Sequence, residues 1–229
     1  MTNASSISDR LHALKAALPA HVQLVAVSKT KPVELLQEAL DAGQVDLGEN
    51  RVQELVGKHE ALTHADSGRA HEFVGLKWHQ IGTLQKNKVK YIAPFVDLIH
   101  AVDQAALLDE IEKRAGAGGR RISVLLQMHI AQESSKFGLS TGELEEILER
   151  IGGGAWPNVE VKGLMGMATF TDDNAQVARE FGGLRQVFES HGAGRNWDTL
   201  SMGMSGDWRI AVDQGSTMVR IGSSIFGSR

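Results

Sequence analysis

Three stretches of this sequence carry residues whose types and spacing suit chemistry. In "LVAVSKTKP", Leu24 to Pro32, a run of apolar residues ends on Ser28 and Lys29. A lysine at the mouth of a buried strand is a candidate nucleophilic amine. Apolar neighbours penalise its ammonium form, and the neutral amine forms a Schiff base with a carbonyl. Most strand-end lysines simply reach solvent, so position alone does not make Lys29 functional. The other two stretches are built from small residues. "SMGMSGDW" supplies Ser201, Gly203, Ser205 and Gly206, and "RIGSS" supplies Gly222, Ser223 and Ser224. Such residues let backbone N–H groups and hydroxyls approach an anion closely, although ordinary turns share the composition.

Taken together, an amine and an anion cup describe a ligand that carries both a carbonyl and a phosphate. Pyridoxal 5′-phosphate (PLP) and sugar phosphates are both of this kind. Arg220 stands just before the second small-residue loop. Facing a pyridine nitrogen, its permanent charge would keep that nitrogen unprotonated and weaken the ring as an electron sink. A salt bridge at the edge of the core is the plain alternative for Arg220.

The remaining polar residues read as structural. His79, His100 and His129 lie on separate strands without metal-ligand spacing. Met165, Met167, Met202 and Met204 read as packing at the barrel mouth. Lys86, Lys88 and Lys90 read as a solvated helix face, and Lys31 as a solvated residue near a helix start. Lys136, in "ESSKFG", is placed in a loop after the fifth strand, where it could face the pocket.

The elements that must position these residues alternate along the whole chain. Strands are expected at Leu24–Ser28, 45–47, 77–81, 96–102, 121–129, 159–168, 199–202 and 217–221. Helix-like runs separate them. One opens on "PVELLQEALDAG", with Pro32 expected at the first helical position and Gly43 as the stop. Another, "STGELEEILERI", pairs Ser140 with Glu143 at capping-box spacing. A helix start is expected at Asp207. Single helices between strands imply a parallel sheet, and eight units predict a closed (β/α)₈ TIM barrel as one domain over 1–229. An open doubly wound sheet is the rival. In a barrel, Lys29 and both small-residue loops fall at the C-terminal face, where function gathers.

Composition excludes other classes. The chain has 229 residues, a net charge of −4 and no cysteine. Disulfides, thiolate catalysis and cysteine-bound metal are ruled out, and the charge does not suit a dedicated nucleic-acid binder. No apolar run reaches the ~18 residues of a membrane span and no leader is evident, so a cytoplasmic protein is expected.

The segments "VAVSKTKP", "LGENRVQE", "WHQIGTLQKNKVKYI", "GLMGMAT" and "LSMGMSGDW…AVDQGSTMVRIGSSIFG" together resemble the pyridoxal-phosphate homeostasis proteins, which share the fold of the alanine racemase N-terminal domain. The resemblance runs from residue 25 to 227. It implies PLP held as a Schiff base on Lys29, with Asn50 near the cofactor and Arg220 against the pyridine nitrogen. It also implies phosphate contacts from Ser201, Met202, Gly203, Ser205, Gly222 and Ser223. The family is thought to carry, buffer or deliver PLP, with PLP-dependent apo-enzymes as candidate partners and no established turnover. Two departures stand out: Leu47 where the family often has Phe, and Gln80 where an apolar residue is usual. The competing enzyme reading is a weak racemase. That chemistry needs a base on each face of the substrate. Tyr91, the single tyrosine, is a poor second base, and the chain is expected to end without the second domain that supplies one. For the same reason a monomer is expected. A PLP-free barrel enzyme using Lys29 on a sugar phosphate is the third reading.

Overall fold

The computed structural model describes residues 6–63, 75–132 and 137–227. Lys136 lies outside them. The described elements are α1 (Ile7–Ala17), β1 (Gln23–Val27), α2 (Val33–Asp41), β2 (Asp46–Glu49), α3 (Val52–Thr63), β3 (Lys77–Gln80), α4 (Val89–Ile92), β4 (Leu98–Val102), α5 (Ala105–Ala117), β5 (Ile122–Gln127), α6 (Thr141–Gly152), β6 (Val159–Met165), α7 (Asn174–Gly192), β7 (Thr199–Ser201), α8 (Trp208–Asp213), β8 (Met218–Ile221) and α9 (Ser223–Phe226). The eight strands close into a barrel in chain order, β8 returning to β1. Every pairing is parallel, as in β1 on β8 with Val25 opposite Arg220. This is the TIM barrel that the alternation of strands and helices predicts.

Local sequence explains the helix starts. Ser6 caps α1 reciprocally: its Oγ accepts from the Asp9 N–H (3.1 Å), and its own N–H donates to Asp9 Oδ2 (3.0 Å). Ser140 and Glu143 form the expected capping box before α6. Pro32 differs from expectation. Its ψ of 160° is extended, so it is the N-cap of α2 and Val33 is the first helical residue. Proline fixes φ but leaves ψ free, and the chain needs an extended residue to leave the turn after Lys29.

Two apolar layers result. The larger lies between strands and helices, with Leu36, Leu47, Leu55, Trp78, Ile111 and Phe181 fully or almost fully buried. The smaller fills the barrel interior and consists of Val25, Leu98, Ala101, Leu125, Met165 and Met218, all from strands. Met165 thus packs as expected, whereas Met202 belongs to the outer layer and Met204 is exposed.

Candidate functional site

Lys29 leaves the end of β1 half-buried, and no hydrogen bond or ion pair engages its ammonium among the described residues. The turn that carries it is held tightly. The Lys31 N–H donates to the Ser28 carbonyl at 3.0 Å. Thr30 takes φ = 63°, a left-handed conformation that is costly for a β-branched residue. Its N–H is anchored on Glu54 Oε2 at 2.8 Å. Strain of this kind persists where surrounding contacts over-determine the backbone, as they do here.

A second lysine lies behind the first and is fully committed. Lys58 of α3 donates to Glu49 Oε1 (2.6 Å) and to the Ser28 carbonyl (2.8 Å), with Glu54 Oε2 at 3.7 Å. Ser28 Oγ also donates to Glu49 Oε1, at 2.6 Å. Burial pushes the Glu49 carboxyl up, against the pull of Lys58 and Ser28. This buried pair was not legible in the sequence. Its signal is a lysine standing on the buried stripe of α3 with Val52, Leu55 and Leu62. Of the two lysines, Lys29 alone offers an unengaged amine. Lys31 differs from the solvated residue expected, because its Nζ donates to the Gly227 carbonyl at 3.0 Å.

Arg220 points across the barrel. Its guanidinium donates to Ser201 Oγ at the end of β7 (2.6 Å) and to the Gly166 carbonyl after β6 (3.2 Å). It is 4% exposed. Burial lowers its pKa to about 10, Asp207 opposing. It remains a cation near neutral pH, and among the described residues no carboxylate pairs with it. The plain alternative of a core-edge salt bridge is therefore not what the structure contains.

The two small-residue loops meet. The Gly222 N–H donates to Ser205 Oγ at 3.3 Å. Ser223 and Ser224 are exposed, and their backbone N–H groups have no protein acceptor among the described residues. A Cβ on Gly222 would come within 2.9 Å of the Val27 carbonyl. Gly203 has φ = 96°, and a Cβ there would meet the Ala211 Cβ at 2.6 Å. Gly203→Ala is expected to cost about 2 kcal/mol through strain and overpacking, read as a lower urea midpoint. Asp207 caps α8 at the position expected, and its Oδ1 accepts the Met204 N–H. Ser201 and Met202 are completely buried. The Ser201 hydroxyl faces Arg220 and His100, not the loop surface.

With this geometry in place, the comparisons with known proteins decide the family. The model for "Alanine racemase, N-terminal domain" matches residues 2–229. The chain belongs to that family. Within it, the chain is 39% identical over 216 residues to a pyridoxal phosphate homeostasis protein of Vibrio alginolyticus, covering 92% of this chain and 88% of the relative. It is 35% identical over 237 residues to the protein of that name from Escherichia coli strain K12, covering 99% and 95%. Among solved structures it is similar to PipY of Synechococcus elongatus with PLP bound, at TM-score 0.87 and 34% identity, covering 97% of this chain and 100% of that one. The alanine racemase of Clostridium difficile shares the fold at 14% identity and TM-score 0.75, this chain matching 57% of its length.

The two departures from the family pattern have structural answers. Leu47 is fully buried and packs in the outer core. Gln80 is also fully buried, and its Nε2 donates to the carbonyls of Asn50 (2.9 Å) and Gly82 (3.0 Å). The amide therefore clamps the backbone of the half-buried Asn50 in place, a role an apolar residue could not fill. At the opposite end of the barrel, Asp46 accepts from Gln23 Nε2 (2.7 Å) and pairs with His79 Nε2 (3.0 Å). Burial alone would raise the Asp46 carboxyl, but the His79 and Gln23 bonds and the His79 and Lys77 charges outweigh it and hold the pKa below 3.8. The unfolded chain then binds the proton more readily, so this stabilisation is present above 3.8 and is lost as pH falls through the lower folded value. Asp46→Asn is expected to flatten the acid limb of the stability curve, measured by urea unfolding across that range.

Proposed function

We propose that this chain is a PLP-binding homeostasis protein, a single cytoplasmic barrel that holds the cofactor through Lys29 and releases it without turning over a substrate. The observation that carries this reading is the unengaged amine of Lys29 at the barrel mouth, set one strand from a buried Arg220 that lacks a carboxylate. When bound, PLP supplies an aldehyde for an amine, a weakly basic ring nitrogen and a dianionic phosphate.

The residues present fit that group at three points. Lys29 is the amine. Arg220 offers a donor that keeps its proton, so a ring nitrogen beside it accepts and stays unprotonated. The unpartnered N–H groups of Ser223 and Ser224, with the glycine-lined approach at Gly203 and Gly222, suit a phosphate. Asn50, with its backbone fixed by Gln80, stands at the end of β2 beside the mouth. Met202 is restricted to backbone contacts by its burial. A racemase needs a second base facing the first, and Tyr91 does not serve. It lies on α4, 49% exposed, with Lys88 and Lys90 over its ring at 5.7 and 4.9 Å.

No helix among the described residues is long and apolar enough to cross a membrane. PLP-dependent apo-enzymes are the partners proposed to receive the cofactor, and the chain is proposed to act as a monomer. Titration of the full chain with PLP is expected to give saturable visible absorbance at one equivalent. The loaded protein is expected to form D-alanine from L-alanine at well below ~1 s⁻¹, a typical enzymatic lower bound. A protein that stays colourless contradicts the binding, and turnover above that rate contradicts the carrier.

A further inference from the structure

From Arg220 and Ser201, a line of buried polar residues runs through the barrel interior to three side chains, His100, His79 and Asp46, that the site as described does not use. From Arg220, the Nη1–H donates to Ser201 Oγ at 2.6 Å. Ser201 Oγ lies 3.2 Å from His100 Nδ1, and His100 Nε2 lies 3.0 Å from His79 Nδ1. His79 Nε2 lies 3.0 Å from Asp46 Oδ1. All five residues are buried, His100 completely. The line runs from the end of β8, through β7, β4 and β3, to the first residue of β2. There Asp46 borders a cavity of about 270 Å³, also lined by Lys15, Gln44 and Val45, at the end of the barrel opposite Lys29.

Donor and acceptor counting gives this line a direction. An arginine only donates, and a carboxylate only accepts. His79 must therefore donate from Nε2 to Asp46. A neutral His79 then accepts at Nδ1, so His100 donates from Nε2 and accepts at Nδ1. That leaves the Ser201 hydroxyl donating to His100 while accepting from Arg220. Each of the four contacts then pairs one donor with one acceptor while both histidines are neutral, and each histidine has one allowed tautomer. Burial, with the charge of His79 when it holds two protons and the charge of Arg220 adding to it, holds the His100 pKa well below 6.5. The charged groups around His79 are Asp46 on its own barrel layer, Lys77 and Lys15 beyond Asp46, and Arg220 beyond Ser201. In the one alternative, His79 holds two protons and His100 reverses, donating from Nδ1 to Ser201.

We propose that His100 and His79 are positioning residues for the cofactor site, forming a one-directional hydrogen-bond relay that fixes Ser201 and Arg220 at one end and terminates at the Asp46 cavity at the other. The proposal rests on Arg220 belonging to the PLP site. Without His100, the Ser201 hydroxyl loses its acceptor and can turn to any other, and the guanidinium loses a fixed partner. With the relay intact, Arg220 presents its remaining N–H groups in one orientation. Such chains also polarise, each bond strengthening the next.

The test has two arms. Long-range ¹H–¹⁵N spectra of the full chain, histidine-labelled and free of PLP at neutral pH, report which ring nitrogen carries the proton. Expected are Nε2–H and bare Nδ1 at both His79 and His100. A proton on His100 Nδ1, or two on His79, overturns the relay whether or not PLP binds. In the second arm, His100→Asn is expected to weaken PLP binding about tenfold, and to have no further effect once Arg220→Lys is in place. Equal losses in both backgrounds overturn the claim that His100 acts through the arginine. If Arg220→Lys itself leaves PLP binding unchanged, the placement of the arginine in the cofactor site fails, and the link from relay to cofactor falls with it.

Discussion

Lys29→Ala is expected to yield a folded protein that no longer retains PLP. Lys29 is half-buried, and among the described residues no hydrogen bond or ion pair engages its ammonium, so truncation removes little stability, within about 0.5 kcal/mol. In the proposed site the covalent anchor goes with it, which would leave backbone N–H groups around Ser205 and Ser223 and the Arg220 guanidinium to hold the cofactor. Retention through gel filtration is expected to fall on the order of a hundredfold. Visible absorbance of the eluted protein measures this directly. Lys31→Ala is the control. Lys31 is bonded to Gly227, and its loss should loosen the C-terminal segment while leaving the colour.

Lys58→Met is expected to be the most destabilising single change near the site. Glu49 is fully buried, and its Oε2 already lacks a partner among the described residues. Removing the cation 2.6 Å from Oε1 leaves a buried carboxylate with Ser28 as its main donor. Breaking such a pair costs about 3–5 kcal/mol, or a fall in Tm of roughly 10 °C for a chain of this length. Adding Glu49→Gln is expected to recover much of the loss, because the unpaired charge is then gone. The variant should also be less unstable in mild acid. Burial raises the Glu49 carboxyl, so the folded state binds the proton more readily than the unfolded one, and stability falls as pH rises through that window. Thermal unfolding of the single and double variants across pH checks both statements. Because Ser28 immediately precedes Lys29, the single variant should also loosen the turn that presents the amine.

The strands were legible because each is a short apolar run broken by a helix, and the parallel closure follows from that alternation. Lys29, Arg220 and the two small-residue loops were legible because barrel strands deliver their ends to one face. What the sequence hid depends on which side chains meet across the barrel. His79 in "KWHQI" and His100 in "LIHAV" each look like an isolated histidine in a buried strand. Only closure brings their rings within 5.2 Å and lines them up with Asp46 and Ser201. Ser201 shows the same limit. Its place in a loop-like motif suggested phosphate, while its orientation at the end of β7 turns it inward to Arg220. Lys58 was hidden by type, since a lysine on a helix ordinarily reads as solvated. The bond from the Gln80 amide to the Asn50 carbonyl was hidden in the same way.

The most direct measurement is chemical. The full chain is incubated with PLP, reduced with borohydride, digested, and the modified peptide is located by mass spectrometry. The pyridoxyl mass is expected on Lys29 alone, in the peptide spanning "LVAVSKTKP", at close to one equivalent. A modification spread over exposed lysines, or placed on Lys58, or absent, would contradict a cofactor held by the lysine at the end of β1.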